Sequence, residues 1–170
     1  PGKDFKDMFR QQRIEGYTIY RRGPATGTRF LVLNQNPRSD NTGNPYVKPH
    51  KLAWFRDVRF RRALAYAIDR EAIRDTIFFG QAYIQHSAVS EANTLYYTGD
   101  NERFPEFPVI RYPFDLARAR SLLDEMGLVD RNGDGIREDA QGNPVEFVIN
   151  TYADSPDYAA IVSLMREDFR

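Results

Sequence analysis

A chain of 170 residues and 19.7 kDa, with 24 Lys and Arg balanced by 24 Asp and Glu and with 41% hydrophobic residues, has the makeup of one globular domain or part of one. Its length allows burial of roughly 70% of the unfolded surface, so a core needs neither disulfide nor metal. Zero net charge removes the electrostatic footprint of non-specific nucleic-acid or anionic-membrane binding, and the absence of Cys removes thiolate zinc sites, iron–sulfur clusters, cysteine nucleophiles and disulfides. The longest stretch free of Asp, Glu, Lys and Arg, the 15 residues from Thr76 to Ser90, is too short and too polar to span a bilayer. Neither a nucleic-acid partner nor a membrane span is expected. Pro1-Gly2-Lys3-Asp4 lacks a signal-peptide pattern, and Arg170 ends an amphipathic run without a Gly or Pro stop. The expectation is a piece cut from a longer protein, or else a cytoplasmic one.

In chain order, Phe5 to Ile14 reads as a short polar helix, and Tyr17–Tyr20 and Arg29–Asn34 read as strands separated by a Gly23-Pro24 turn. Residues 36–51, with three Pro, a Gly and several Asn, read as an inserted surface loop. Phe60, Ala63, Leu64, Ala67 and Ile68 then recur at helical spacing behind Asp57, a favourable N-cap. The phase changes at Asp69, which is expected to cap a second helix carrying Ala72, Ile73, Ile77 and Phe78 and ending at Gly80. From Gln81 to Arg111 no periodicity is visible, and an irregular stretch of that length in a compact domain is usually functional or wraps another surface. Asp115 heads a helix with Leu116, Ala119, Leu123 and Met126 on one face and Gly127 beyond its end. Val145, Phe147 and Ile149 alternate as a strand, and Ser155-Pro156 opens a last helix with Tyr158, Ile161, Val162, Met165 and Phe169 inward. The alternation predicts an α/β or α+β fold, a small sheet packed with helices, in a single partial domain over 1–170.

Chemistry-bearing patterns are few. His50 and His86 have no second His at metal-ligand spacing. A triad assembled from His86 with Ser87 or Ser90 lacks the Gly-x-Ser-x-Gly elbow, and no glycine-rich loop opens a helix as a phosphate cradle does. Asp130, Asn132 and Asp134 match the first half of a calcium loop, but position 12 is Gln141 and the following segment reads as a strand. A polar Asp/Asn/Gly turn is the plainer reading, with a weak structural calcium site as its alternative. Glu138-Asp139 reads as a pair of solvated turn charges. Arg56, Arg59, Arg61 and Arg62 read as a solvated helix face rather than an anion site, given Asp57, Asp69, Glu71 and Asp75 nearby. Tyr96-Tyr97 reads as a core plug, with a ligand-facing pair as its alternative. No cofactor is expected.

The run from Trp54 to Ile73, WFRDVRFRRALAYAIDREAI, closely resembles the signature of family 5 extracytoplasmic solute-binding proteins of ABC importers, which include dipeptide and oligopeptide binders. The likeness continues in order through Leu33-Asn34-Gln35 before it and Phe79-Gly80-Gln81-Ala82 after it. It then passes through Tyr112 to Gly127, Asp134-Gly135-Ile136, Gly142-Asn143-Pro144 and Asn150-Thr151, covering nearly the whole chain. The resemblance implies a fragment of the second ligand-binding lobe of a two-lobed, periplasmic-binding-protein-like fold. It implies a periplasmic or extracellular protein, with any lipid anchor on a segment outside this chain, that is not an enzyme. Such a protein captures a small solute, most often a peptide, and delivers it to a membrane permease. Strand alternation puts Phe30, Val32 and Asn34 on one face, and in the resembling proteins that strand reaches the cleft; the alternative is that Phe30 and Val32 are core. Val32 stands where some peptide-binding relatives carry an acid, which speaks against a cationic peptide terminus there. His86-Ser87 replaces a Pro-rich stretch and either touches ligand or replaces a turn. Two rival readings stand beside it: a calcium-stabilised interaction module built on Asp130, Asn132 and Asp134, and a hydrolase using His86.

Overall fold

Two aspartates decide where the central helices begin. Asp57 has an extended backbone and its carboxylate accepts the Arg59 N–H at 2.8 Å, starting the helix Val58–Ala67; Asp115 does the same for Leu116–Asp124 by accepting the Arg118 N–H at 2.9 Å. Each satisfies one of the helix's orphan donors. The computed structural model describes residues 2–20, 22–95 and 109–169. Among these the helices are α1 Gly2–Glu15, α2 Pro49–Arg56, α3 Val58–Ala67, α4 Arg70–Ile77, α5 Leu116–Asp124 and α6 Pro156–Asp168. The Tyr96-Tyr97 pair lies outside the described residues.

The chain forms two compact units, one from the described residues of Pro1–Phe30 and Arg70–Arg111, the other from those of Leu31–Asp69 and Tyr112–Arg170. The second holds the core. Val47, Trp54, Phe55, Phe60, Leu64 and Leu128 are buried together, with Leu31, Leu33, Met126, Val145, Phe147 and Phe169 packed against them. Phe60, 1% exposed, sits 5.8 Å from the Phe55 ring and 6.2 Å edge-on from Phe147, the tilted and edge-to-face arrangements that aromatic quadrupoles favour. Beside this cluster α3 and α5 meet through Ala63, Ala67, Ala119 and Leu122. Small side chains let the two axes approach closely.

The seam is fastened at both ends: the Asp115 N–H donates to the Tyr66 carbonyl at 2.9 Å, and Arg59 Nη1 donates to the Glu125 carbonyl, also at 2.9 Å. The two helices are therefore antiparallel. Tyr66 and Tyr112 close one end with an edge-on ring contact at 5.2 Å, and the Asp168 carboxylate accepts the Asp69 N–H at 3.1 Å.

Removing the Asp57 cap is expected to lower stability by about 1 kcal/mol, read as a shift in the urea midpoint of Asp57→Ala. The Arg59 hydrogen bonds hold the Asp57 carboxyl below the usual carboxylate value against the opposing effect of burial, with the Arg59 and Arg61 charges adding to them. Its contribution is therefore complete above the ordinary carboxylate range and is lost as pH falls through the lowered value. Acid sensitivity should accordingly be smaller in Asp57→Ala than in the wild type.

Three expectations need correction. The stretch read as a loop to Lys51 ends at Lys48, because Pro49 occupies the first turn of α2, where its fixed φ and missing N–H suit a helix start; Val47 in the same stretch is buried. The turn after α4 enters the left-handed region at Phe79 (φ 51°) as well as at Gly80 (φ 73°), one residue earlier than a lone Gly cap. Residues 17–20, 29–34 and 145–149 form no strand ladder; among the described residues pairing is limited to the isolated bridges Ser39–Pro45, Val129–Glu138 and Glu138–Pro144. Strand propensity supplies a surface that fits a pleat, but a ladder needs a partner in register. What survives is the alternation: Leu31 and Leu33, like Val145, Phe147 and Ile149, are half-buried, while Val32, Asn34, Glu146 and Val148 are exposed.

In the first unit α1 is tied to the residues after it by the Tyr17 hydroxyl donating to the Met8 carbonyl at 2.5 Å and by the Ile19 N–H donating to Gln12 Oε1 at 3.3 Å. The Arg29 guanidinium lies 4.8 Å above the Phe78 ring, and the buried Ser90 donates its hydroxyl to the Ala25 carbonyl at 2.6 Å. Ala72, Ile73 and Ile77 of α4, and Phe78 just after it, are half-buried.

Candidate ligand-facing surface and acidic loop

Leu31 and Leu33 anchor their segment in the core of the second unit, and that anchoring forces Val32 and Asn34 outward. Val32 is 69% exposed and Asn34 is exposed; Phe30, in the first unit, is 77% exposed. Asn34 Oδ1 accepts the Asn36 N–H at 3.0 Å, which fixes the carbonyl side of its amide in a local turn. All three outward side chains are uncharged.

His86 is exposed and Ser87 half-buried in the first unit. Partial desolvation, reinforced by the Arg111 and Arg70 charges and opposed by Glu91, holds His86 below the ordinary imidazole value. Ser87 Oγ accepts the Val89 N–H at 3.2 Å and its carbonyl accepts Gln85 Nε2 at 2.6 Å. Ser90 Oγ accepts from the Ala92 N–H at 3.2 Å while donating to Ala25. Both serines are thus engaged in turn geometry, which gives the hydrolase reading no support. The same unit carries an open groove of about 600 Å³ lined by Tyr20, Arg22, Gln81 and Tyr83 beside an Arg74–Asp75 ion pair at 2.7 Å. Sequence reasoning missed it, because the groove is assembled from segments some 60 residues apart with only the aperiodicity after Gln81 as a signal.

The acidic loop is ordered by its own backbone. Asp130 accepts the Gly133 N–H at 2.7 Å on one oxygen and the Gly135 N–H at 3.0 Å on the other, and these bonds hold its carboxyl below the usual range. Asn132 Oδ1 accepts the Asp134 N–H at 2.9 Å, Asn132 Nδ2 donates to Asp134 Oδ2 at 3.0 Å, and Asp134 Oδ1 accepts the Ile136 N–H at 2.7 Å. The structure brings Glu138 to Asp130 and Asp134, their carboxylate oxygens lying within 4.8 Å of one another. Such oxygens suit a hard cation, yet each of these carboxylates already accepts a backbone N–H, Glu138 from Arg131 at 2.9 Å.

Glu138 and Asp139 are each 7% exposed, not solvated turn charges. Burial pushes the Asp139 carboxyl up, but donors from Asn143 and Gln141 and the nearby His50 outweigh it and hold it low. The arginine run is also no plain solvated face: Arg61 Nη1 donates to the Phe55 and Arg56 carbonyls at 3.0 and 2.7 Å, Arg56 to the Gln35 carbonyl at 3.3 Å, and Arg59 to Asp57 and Glu125. Arg61 thus serves the carbonyl end of α2 and Arg59 that of α5.

Residues 4–170 match the family model described as bacterial extracellular solute-binding proteins, family 5, middle region. The chain belongs to this family. A probable ABC transporter-binding protein of Deinococcus radiodurans is 24% identical over 153 residues, covering 88% of this chain and 23% of the relative. The oligopeptide-binding protein AppA of Bacillus subtilis is 32% identical over 101 residues, covering 57% of this chain and 16% of the relative. The structure of AppA in complex with a nonapeptide superposes with a TM-score of 0.61 at 25% identity, over 69% of this chain and 22% of that one. A periplasmic oligopeptide-binding protein of Thermotoga maritima, solved with mannohexaose bound, gives a TM-score of 0.53 at 28% identity, over 65% of this chain and 20% of that one. The chain thus spans about a fifth of the length of the proteins it matches. The fold class read from the sequence, part of a lobe of a two-lobed binding-protein fold, is that of these solved structures. No helix among the described residues is long and apolar enough to cross a membrane.

Proposed function

We propose that this chain is a fragment of the second lobe of a receptor that captures a small solute, most readily a peptide, and delivers it to the permease of an ABC importer. The observation that carries the reading is the family match across residues 4–170; the peptide class is supported by AppA and its nonapeptide. Mannohexaose on the Thermotoga relative makes an oligosaccharide the next class. The receptor works by closing its lobes over the ligand rather than by catalysis, in the periplasm or outside the cell, with any lipid anchor on another part of the protein. Phe30, Val32 and Asn34 supply apolar and amide contacts to the ligand, and their lack of charge fits a neutral stretch of peptide backbone or a sugar face better than a charged terminus. His86 and Ser87 are a second contact candidate.

Native purification of the longer protein from its host, followed by denaturation and mass spectrometry, is expected to release a peptide. A released sugar would keep the receptor reading and change its cargo. Stoichiometric calcium with no organic ligand would overturn the reading in favour of a calcium-stabilised module built on Asp130, Asn132 and Asp134. With the ligand in hand, Phe30→Ala combined with Asn34→Ala is expected to weaken binding about tenfold, roughly 1.4 kcal/mol, by calorimetry. Arg120→Ala, on the exposed side of α5, should leave affinity unchanged; equal affinities for all three proteins would remove the outward row from the site.

A further inference from the structure

The chain contains one Asn-Gly pair, Asn132-Gly133, and one Asp-Gly pair, Asp134-Gly135, and both lie in the acidic loop. In such pairs the glycine nitrogen can attack the preceding side-chain carbonyl to form a succinimide, because no Cβ hinders its approach and the backbone is free to swing. All four residues are exposed to the water that the later hydrolysis needs. The two nitrogens that would attack, those of Gly133 and Gly135, are the two that Asp130 holds, one on each carboxylate oxygen, at 2.7 and 3.0 Å.

We propose that the Asp130 carboxylate guards both pairs, so that Asn132 is a deamidation site that reacts when the loop opens. In the reaction the Gly133 nitrogen gives up its proton and bonds to Cγ of Asn132; the Cγ–Nδ2 bond breaks and ammonia leaves. Water then opens the ring at either carbonyl, giving Asp or isoaspartate at 132. At Asp134 the same attack by the Gly135 nitrogen expels water, and hydrolysis returns Asp or isoaspartate. Asp130 opposes both steps in two ways. Its negative charge disfavours loss of the glycine proton, and its charge-assisted hydrogen bonds aim both nitrogens toward itself. Asn132 is further restrained by the paired contacts of its amide with Asp134. Once deamidation occurs, the donor now 3.0 Å from Asp134 Oδ2 becomes a second carboxylate. The attraction turns to repulsion, the loop loosens, and Asp134-Gly135 is exposed to the same chemistry.

The test is timed incubation at mildly alkaline pH, with peptide mapping by mass spectrometry for the amide-to-acid mass gain at 132 and chromatographic detection of isoaspartate at 132 and 134. Folded wild type is expected to react roughly tenfold or more slowly than the same protein in guanidinium chloride, the factor corresponding to one charge-assisted hydrogen bond. Asp130→Ala should recover most of that difference, while Asn41-Thr42, in a separate turn, serves as an internal reference and keeps its wild-type rate. Equal rates in the folded and denatured wild type would overturn the proposal without recourse to any variant. So would an Asp130→Ala protein in which residue 132 reacts no faster, or in which Asn41 accelerates to the same degree.

Discussion

Replacing Phe60 by Ala is expected to lower the unfolding free energy by about 3–5 kcal/mol, measured by urea denaturation. The upper half of that range applies because the cavity has little means of closing. Phe60 is 1% exposed, and its three ring neighbours come from two places: Trp54 and Phe55 from α2, at 6.5 and 5.8 Å, and Phe147, at 6.2 Å, from a segment nearly ninety residues along. Trp54 is also held by His50 at 5.1 Å, and Phe147 by Phe169 at 6.0 Å, so neither ring is free to slide into the vacated space. The aromatic geometry adds about 0.5–1.5 kcal/mol per pair beyond area burial. Phe30→Ala is the internal comparison: the same chemical deletion at a position 77% exposed is expected to change stability by no more than about 0.5 kcal/mol. A loss below about 1 kcal/mol at Phe60 would mean that the ring cluster is loosely packed and that the core lies elsewhere.

The sequence made some of this plain and hid the rest for physical reasons. α3 and α5 were legible because each combines a side-chain cap with apolar residues at helical spacing, two local signals that agree. In α5 Leu116 and Leu123 pack against the buried clusters as the spacing predicts, and Leu122, which the spacing did not single out, is buried beside Ala119. α2 was hidden because Pro49 closes a Pro- and Asn-rich stretch, and proline reads equally as a loop residue and as a helix start. The strand-like segments kept their in-and-out pattern, since alternation is a property of each segment, but pairing is a property of two segments and could not be read from one. For the candidate site, the outward positions of Val32 and Asn34 followed from alternation. The groove by Tyr20 and Tyr83, the burial of Glu138, and the reach of Arg59 to a carbonyl 66 residues away all depend on tertiary placement, and no local signal carries them.

The second large effect runs in the opposite steric direction. Ala63→Leu is expected to cost about 1–3 kcal/mol by overpacking, near the upper end, and Ala119→Leu about as much. Ala63 is 1% exposed and Ala119 4%, and they meet across the α3–α5 seam together with Ala67 and Leu122. Helices can usually accept a larger side chain by moving apart, since interaxial distance follows the side chains at the contact. Here that relief is blocked at both ends. Separation would stretch the Asp115 to Tyr66 hydrogen bond at one end and the Arg59 to Glu125 hydrogen bond at the other, both 2.9 Å. The inserted leucine must therefore either leave its rotamer minimum or break a fastening. Adding Leu122→Ala to Ala63→Leu should restore part of the loss, because the two positions share one space and their effects are coupled rather than additive. A double-mutant cycle by urea denaturation measures this directly. A coupling near zero, or an Ala63→Leu protein as stable as the wild type, would show that the seam is not close-packed and that the alanines reflect helix propensity alone.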